Sequence, residues 1–317
     1  MTTMRRRSLV NWAVIGAALL GVLAGCAASA PRATAVTEGV TRVELGAVKA
    51  LAVSDGQGSR PLDASFVRNA PLADVQADLK AAGLPTDRLD VPYTALVVDV
   101  GGQRVLFDTG NGEFGGPGAG KLIDNLRGAG VTPESVTAVV ISHFHGDHIN
   151  GLRNKAGQVV FPNAKIYVPA PEWGWWMDEA RYAATPEASR GGLNTARRVF
   201  GPLATSVIRF EPGQQVLPGV RSIAAFGHTP GHTVFMIEGG SRKLLYWADT
   251  TNVAMFARHP EWAVVFDMDA EMARATRHRI AELALSENAL VAGFHLTRPG
   301  VGTLTRRGQG YDFTPLK

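Results

Sequence analysis

Cysteine is almost absent from the 317 residues: Cys26 stands alone, so no intrachain disulfide can form. Charge is sparse as well. Charged residues make up 19% of the chain, and the formal net charge is +4. Three of those charges are Arg5, Arg6 and Arg7, and no other charged residue precedes Cys26; taking three from +4 leaves +1 for the remainder. No stretch clusters basic residues with interleaved aromatics, and Arg197-Arg198 and Arg306-Arg307 are isolated pairs. Nothing here supports a nucleic-acid partner. No repeat of fixed period appears, and no apolar run reaches the ~20 residues of a spanning helix. What the chain has is 45% hydrophobic residues, 36 glycines and 18 prolines. That is the composition of a globular protein with a substantial core and the many turns of a sheet-rich fold.

The N-terminus reads as an address. Arg5-Arg6-Arg7 precedes an apolar run from Leu9 to Ala24, the n-region and h-region of an export signal. The run ends in Leu23-Ala24-Gly25-Cys26, which resembles the lipobox of bacterial lipoproteins. Residues 1–25 are therefore expected to be a signal peptide. Lipidated Cys26 would then hold the chain on the periplasmic side of a bacterial membrane. The alternative is ordinary cleavage after Ala28-Ser29-Ala30, which gives a periplasmic or secreted protein; Pro31 after that cut disfavours it. Residues 26–39 are small and polar and read as a tether, leaving 40–317 as one catalytic domain.

Along that domain, Val40–Ser54 is strand-like and closes on the turn Asp55-Gly56. Pro71–Ala82 reads as a helix with Asn69 as its cap. Strands are expected at Tyr93–Val100, Val105–Phe107 and Val136–Ser142, with a helix at Lys121–Arg127. Further strands fall at 164–168, 221–226, 233–238, 243–247 and 289–294, and helices at 171–183, 190–200 and 270–286. Short hairpins such as 233–247 interrupt a pure βαβ rhythm, which points to two sheets covered by helices.

The central motif is His143-Phe144-His145-Gly146-Asp147-His148, four ligand-type side chains in six residues after an apolar strand. Imidazole and carboxylate together suit zinc and related divalent ions. Three later segments repeat the placement of a polar residue just past an apolar strand. They are Gly227-His228-Thr229-Pro230-Gly231-His232, Ala248-Asp249-Thr250 and Gly293-Phe294-His295. All fall on the same predicted rim. His259 and His278 lack such spacing and read as surface residues.

This pattern resembles the metallo-β-lactamase superfamily over nearly the whole chain after Cys26. The resemblance implies an α/β fold, the four-layer αββα sandwich, with a two-metal site at one edge between the sheets. It implies His143, His145 and His232 on one ion, Asp147, His148 and His295 on the other, and Asp249 bridging them. The ions are expected to be zinc. A zinc pair ~3.5–4 Å apart lowers the pKa of water from ~15.7 to near ~7, so a nucleophile exists at neutral pH. Asp147 also positions that nucleophile, which makes Asp147 and Asp249 the catalytic carboxylates. Asp108, in Phe107-Asp108-Thr109-Gly110, is expected to orient a ligand loop through hydrogen bonds, and His228 to stand behind the ligands.

Within the superfamily, Asp249 separates this chain from the true β-lactamases, which lack a bridging Asp. A closer resemblance is to methyl parathion hydrolase-like exported enzymes. It is carried by Phe161-Pro162-Asn163-Ala164, Leu217-Pro218-Gly219-Val220, the 227–233 turn and the tail His295–Phe313. In those hydrolases aromatics at the positions of Phe114 and Trp176 line a leaving-group pocket, and Trp173 stands close to Trp176 in sequence. The expected substrate is thus a small molecule, an ester or phosphotriester with an aryl or apolar group. An N-acyl-homoserine-type lactonase or a thioesterase is the alternative. Many such lactonases carry a Tyr shortly after the bridging Asp, where Thr250, Thr251 and Asn252 follow here. Less favoured are a β-lactamase, an iron dioxygenase and a non-catalytic metal-binding lipoprotein. The Trp cluster has a plainer reading, as core packing or the interface of a homodimer.

The export reading gives one direct test. Cys26→Ser is expected to abolish incorporation of labelled lipid and to release the protein from the membrane fraction. Unchanged membrane retention would favour the ordinary signal peptide.

Overall fold

The central strands carry apolar side chains on both faces, so each strand must be covered twice. In the computed structural model, which describes residues 33–239 and 241–317, two sheets and flanking helices do this. The signal segment and Cys26 lie outside the described residues. The first sheet has eight strands in sequence order. They are β1 (Ala33–Thr37), β2 (Val40–Glu44), β3 (Lys49–Pro61), β4 (Arg88–Val100), β5 (Gln103–Phe107), β6 (Ala138–Val140), β7 (Lys165–Pro169) and β8 (Ile208–Phe210). β1 to β5 are antiparallel, and β5 to β8 pair in parallel. The second sheet contains β9 (Gln215–Leu217), β10 (Val220–Ala224), β11 (Thr233–Glu238), β12 (Lys243–Ala248), β13 (Leu290–Gly293), β14 (Val301–Arg307) and β15 (Gly310–Pro315). Its order is β15-β14-β13-β12-β11-β10-β9, with β12 and β13 parallel.

Alternation along the strands assigns each side chain to a layer. In β12, Leu244, Tyr246 and Ala248 face the space between the sheets, whereas Leu245 and Trp247 face outward. In β11, Phe235 and Ile237 point inward, and Val234 and Met236 outward. The Phe235 ring meets Phe107 of the opposite sheet at a tilt, with centroids 5.4 Å apart, which closes the inter-sheet core. The outer face of the first sheet packs on α2 (Leu122–Gly128), α4 (Ala170–Trp176) and α6 (Gly191–Phe200) through Leu126, Trp176 and Phe200. The outer face of the second packs on α8 (Ala270–Ser286) through Ile280, Ala281 and Ala284. This is the four-layer αββα sandwich. A fourth apolar cluster sits beside it, built from α1 (Leu72–Ala81), Phe66, Val67, Met255, Phe256, Trp262 and Val264.

Several boundaries differ from those expected. The supposed tether 26–39 is partly in the sheet, because 33–37 pair with β2 as an edge strand. Asp55-Gly56 does not end its strand. The register shifts between Ser54 and Gly56, and β3 continues to Pro61. The bulge turns Asp55 inward, where it accepts from the backbone N–H groups of Asn111 and Leu122. Gly56 is required there, since it has φ 101° and a Cβ would fall 1.9 Å from the Gly118 carbonyl oxygen. Asn69 does not cap α1; its side chain binds Glu261 and Ala263. The helix expected at 171–183 is broken in two, because Asp178 accepts from Arg181 N–H and starts α5 (Glu179–Ala184). The remaining helices, α3 (Gly146–Ile149) and α7 (Met255–Arg258), are single turns.

Phe235 is fully buried between the sheets. Phe235→Ala is expected to destabilise the fold by ~3–5 kcal/mol. In urea titration the midpoint should fall with the slope unchanged; a loss below 1 kcal/mol would contradict this packing.

Candidate metal centre

Five strands deliver polar residues at their C-terminal ends. Asp108 follows β5, His143 and His145 follow β6, His228 follows β10, Asp249 follows β12 and His295 follows β13. α3 begins directly after His145 and carries Asp147 and His148. Two of the exits are strained: Asp108 has φ 59° and Ala248 has φ 45°. Positive φ at an alanine costs of order 1–3 kcal/mol and turns the chain sharply where Asp249 must enter the cluster.

The donor atoms form two groups. His143, His145, His228 and Asp249 make one, and Asp147, His148 and His295 make the other, each with atoms within 4.8 Å of one another. Asp249 touches both. Its carboxylate lies 3.3 Å from His228 Nε2, 3.3 Å from His148 Nε2, 3.1 Å from His295 Nε2 and 4.0 Å from His143 Nε2. His295 Nε2 is also 3.3 Å from Asp147. All of this is shielded from water apart from partly open His145 and Asp147.

Four of the cluster imidazoles are aimed by a bond to the other nitrogen. His148 Nδ1 lies 2.8 Å from Asp108, and His228 Nδ1 lies 3.0 Å from Asp267. His295 Nδ1 donates to the Pro92 carbonyl at 2.9 Å. Ser142 Oγ donates to Asp108 at 2.7 Å, which leaves it to accept from His143 Nδ1 at 3.0 Å. Tyr246 adds its hydroxyl to Asp108. The Nε2 edges are thereby turned inward. Among the described residues, His143 Nε2, His148 Nε2 and Asp249 Oδ1 are buried with no hydrogen-bond partner. Buried polar atoms are rarely left so, and lone pairs converging from imidazoles and carboxylates fit divalent cations.

Electrostatics point the same way. Burial opposes charge on Asp147, yet His148 and His295 hold its carboxyl down to about 2. Burial opposes the charge on His228 and His295 as well, but the Asp249, Asp267 and Asp147 carboxylates outweigh it, pushing His228 up to about 9 and His295 to about 10. Burial and neighbouring His228 push His145 and His232 down to about 3. The cluster thus selects positive charge next to its carboxylates.

One expected ligand borders the two groups. His232 is in neither group. Its Nδ1 donates to the Ala225 carbonyl at 2.9 Å, and its Nε2 accepts the Asp249 backbone N–H at 3.2 Å. His228, expected to stand behind the ligands, is in the first group and lies 2.9 Å from His145 Nδ1. Gly231 packs so close to α4 that a Cβ would fall 2.3 Å from Glu172 N, and the His232 ring that follows lies 5.1 Å from the His143 ring and 5.6 Å from the His228 ring. Two histidines four residues apart carry no sequence signal that decides between them.

Other contributors were invisible in the sequence. Glu172, fully buried, accepts from Phe144 N–H at 2.9 Å, Gly231 N–H at 2.6 Å and Trp176 Nε1 at 2.7 Å. It ties α4 to both histidine loops, and burial pushes its carboxyl up. Asp267 pairs with buried Arg277 behind His228. The cluster opens into a cavity of about 470 Å³ whose wall includes Arg60, Phe66, Val91, Tyr93, Val253 and Phe266. Phe114, Trp173 and Trp176 do not line it. Phe114 lies under Arg198, Trp173 packs on Phe200, and Trp176 is buried on Glu172. Trp176 belongs to the core, and half-buried Trp173 and Trp175 pack against it.

With this geometry in view, the chain can be set beside known proteins. An N-acyl homoserine lactonase of a Bacillus species is 25% identical over 227 residues, covering 65% of this chain and 82% of that protein. The solved structure of AidC, a dizinc quorum-quenching lactonase in complex with a product, matches with TM-score 0.82 and 26% identity, covering 88% of this chain and 98% of that one. The hydrolase AbOPH of the beta-lactamase superfamily shares the fold with TM-score 0.81 at 24% identity, over 88% of this chain and 98% of its own. Residues 88–294, well over half of the chain and including every cluster residue except His295, match the metallo-beta-lactamase superfamily, and the chain belongs to that family.

Proposed function

We propose that this metal-dependent hydrolase opens the ring ester of N-acyl homoserine lactones. The observation that carries the reading is a seven-residue His/Asp cluster at the floor of a cavity walled by Phe66, Val91, Val253 and Phe266. It occurs in a chain that matches a dizinc lactonase over 88% of its length. A lactone ring is a compact polar head and fits beside the cluster. An acyl tail fits the apolar wall. The aryl ester or phosphotriester expectation rested in part on Phe114 and Trp176, which are not among the residues lining this cavity.

His143, His145 and His228 would hold one zinc ion and Asp147, His148 and His295 the other, with Asp249 between them. Bound there, the two ions supply a nucleophile from water at neutral pH and polarise the ester oxygen. The chain's own residues do the rest. Asp108 and Asp267 keep His148 and His228 in one orientation, so the site is preorganised before substrate arrives. Asn252 holds the Asp249 carboxylate through a 3.2 Å bond, which leaves its other oxygen directed at His148. The apolar wall excludes bulk water around the acyl chain.

Two measurements test these assignments. Zinc-loaded protein is expected to convert N-hexanoyl-homoserine lactone to its open acid, followed by mass spectrometry. Its kcat/KM should exceed that for an aryl phosphotriester or a cephalosporin by at least ~10-fold, or ~1.4 kcal/mol. Efficient phosphotriester turnover without lactone turnover would reject the reading. For the ligands, His228→Ala is expected to lower metal content by about one ion per chain and activity by more than the ~10–100-fold that an outer partner costs. His232→Ala should keep both ions. Equal metal loss in the two variants would refute the exchange of roles between His228 and His232.

A further inference from the structure

The geometry points to Tyr93 as a catalytic residue, its hydroxyl donating a hydrogen bond to the carbonyl oxygen of the bound ester as that oxygen gains charge. This rests on the proposed ester hydrolysis at the cluster. Tyr93 lies on β4 and lines the cavity. Its ring meets the His295 imidazole edge-on, with centroids 5.4 Å apart, and meets Phe294 at 6.0 Å. The preceding residue, Pro92, holds His295 through its carbonyl at 2.9 Å. One stretch of backbone therefore fixes the phenol and a cluster histidine relative to each other.

The hydroxyl is uncommitted: it forms no hydrogen bond to any described residue. Two amide donors of the cavity are already engaged. Asn111 Nδ2 donates to Asp55, and Asn252 Nδ2 donates to Asp249. Room for the phenol is built into the facing strand. Gly58 of β3 leaves the hydroxyl a space that a Cβ would invade at 2.6 Å. A donor on the cavity wall, with no protein partner to release, stabilises developing negative charge at little reorganisation cost. The phenol keeps its proton throughout, so the step adds no proton transfer to the reaction.

The test uses the full zinc-loaded chain with two substrates, the hexanoyl lactone and an aryl ester. Tyr93→Phe removes the hydroxyl and keeps the ring against His295. It is expected to lower kcat about 100-fold, within the range for losing one such donor. KM and the two ions per chain should be nearly unchanged. Gly58→Ala, which displaces the hydroxyl without removing it, should lower kcat in the same direction. Wild-type kcat in Tyr93→Phe would overturn the inference. So would a loss explained by falling metal content, because Tyr93 would then only support His295. If the wild type hydrolyses the aryl ester but not the lactone, and Tyr93→Phe slows that reaction, the lactone reading fails and Tyr93 stands. Absence of any ester hydrolysis by the wild type would remove both.

Discussion

Asp249 is the group around which the structure is arranged. A carboxylate that is 3% exposed cannot keep its charge unless positive charge or donors surround it. Four imidazoles lie within 4.0 Å of it, arriving from β6, α3, β10 and β13. Those elements must therefore meet at one point. The parallel pairing of β5 with β6 and of β12 with β13 brings their C-terminal ends to the same rim. The left-handed turn at Ala248 completes the approach. Its strain is sustained because the strand before it is buried on both faces.

Around that charge stands a set of fully buried anions that bind no substrate. Asp108 joins Ser142, His148 and Tyr246, so it fastens the first sheet to the second. Asp267 reaches His228 on one side and Arg277 on the other, and Arg277 donates onward to the Thr250, Pro260 and Trp262 carbonyls. Glu172 bonds to both histidine loops. Removing one partner from such a network leaves a buried charge uncompensated, which typically costs ~3–5 kcal/mol. The histidines are held by this scaffold as much as by the strands they follow.

The sequence displayed the parts of this arrangement whose signal is local. His143 to His148 is a dense motif, and Asp249 and His295 each end a clear apolar strand, so their convergence was legible. The central strands were legible for the same reason, as apolar runs buried on both faces. Short or polar strands such as β8 (Ile208–Phe210), β14 and β15 were not, because a neighbouring strand rather than local propensity defines them. Glu172, Asp267 and Arg277 were missed because each is an ordinary charged residue in a helix or loop. Only the tertiary path buries them. The seating of the His228–His232 loop depends on the contact of Gly231 with Glu172 of α4, 59 residues away in sequence.

The cavity wall was the least legible feature, and its origin explains why. Arg60 and Phe66 come from the end of β3 and the segment after it, and Val253 and Phe266 from the segments flanking α7. These belong to the lobe beside the sandwich, where Phe66 packs on Phe256 at 6.0 Å and Arg60 lies over both Phe66 and Phe266. No helical or strand period links residues so far apart along the chain. Physically the division has a consequence. The metal cluster depends on strand ends and the buried anions of the sandwich, while the apolar cavity wall depends on a separate apolar cluster. Changes in that lobe can reshape the wall without disturbing the ligand geometry. Substrate choice and hydrolytic chemistry are therefore set by different parts of the fold, and they meet at Tyr93 and His295 on the cavity floor.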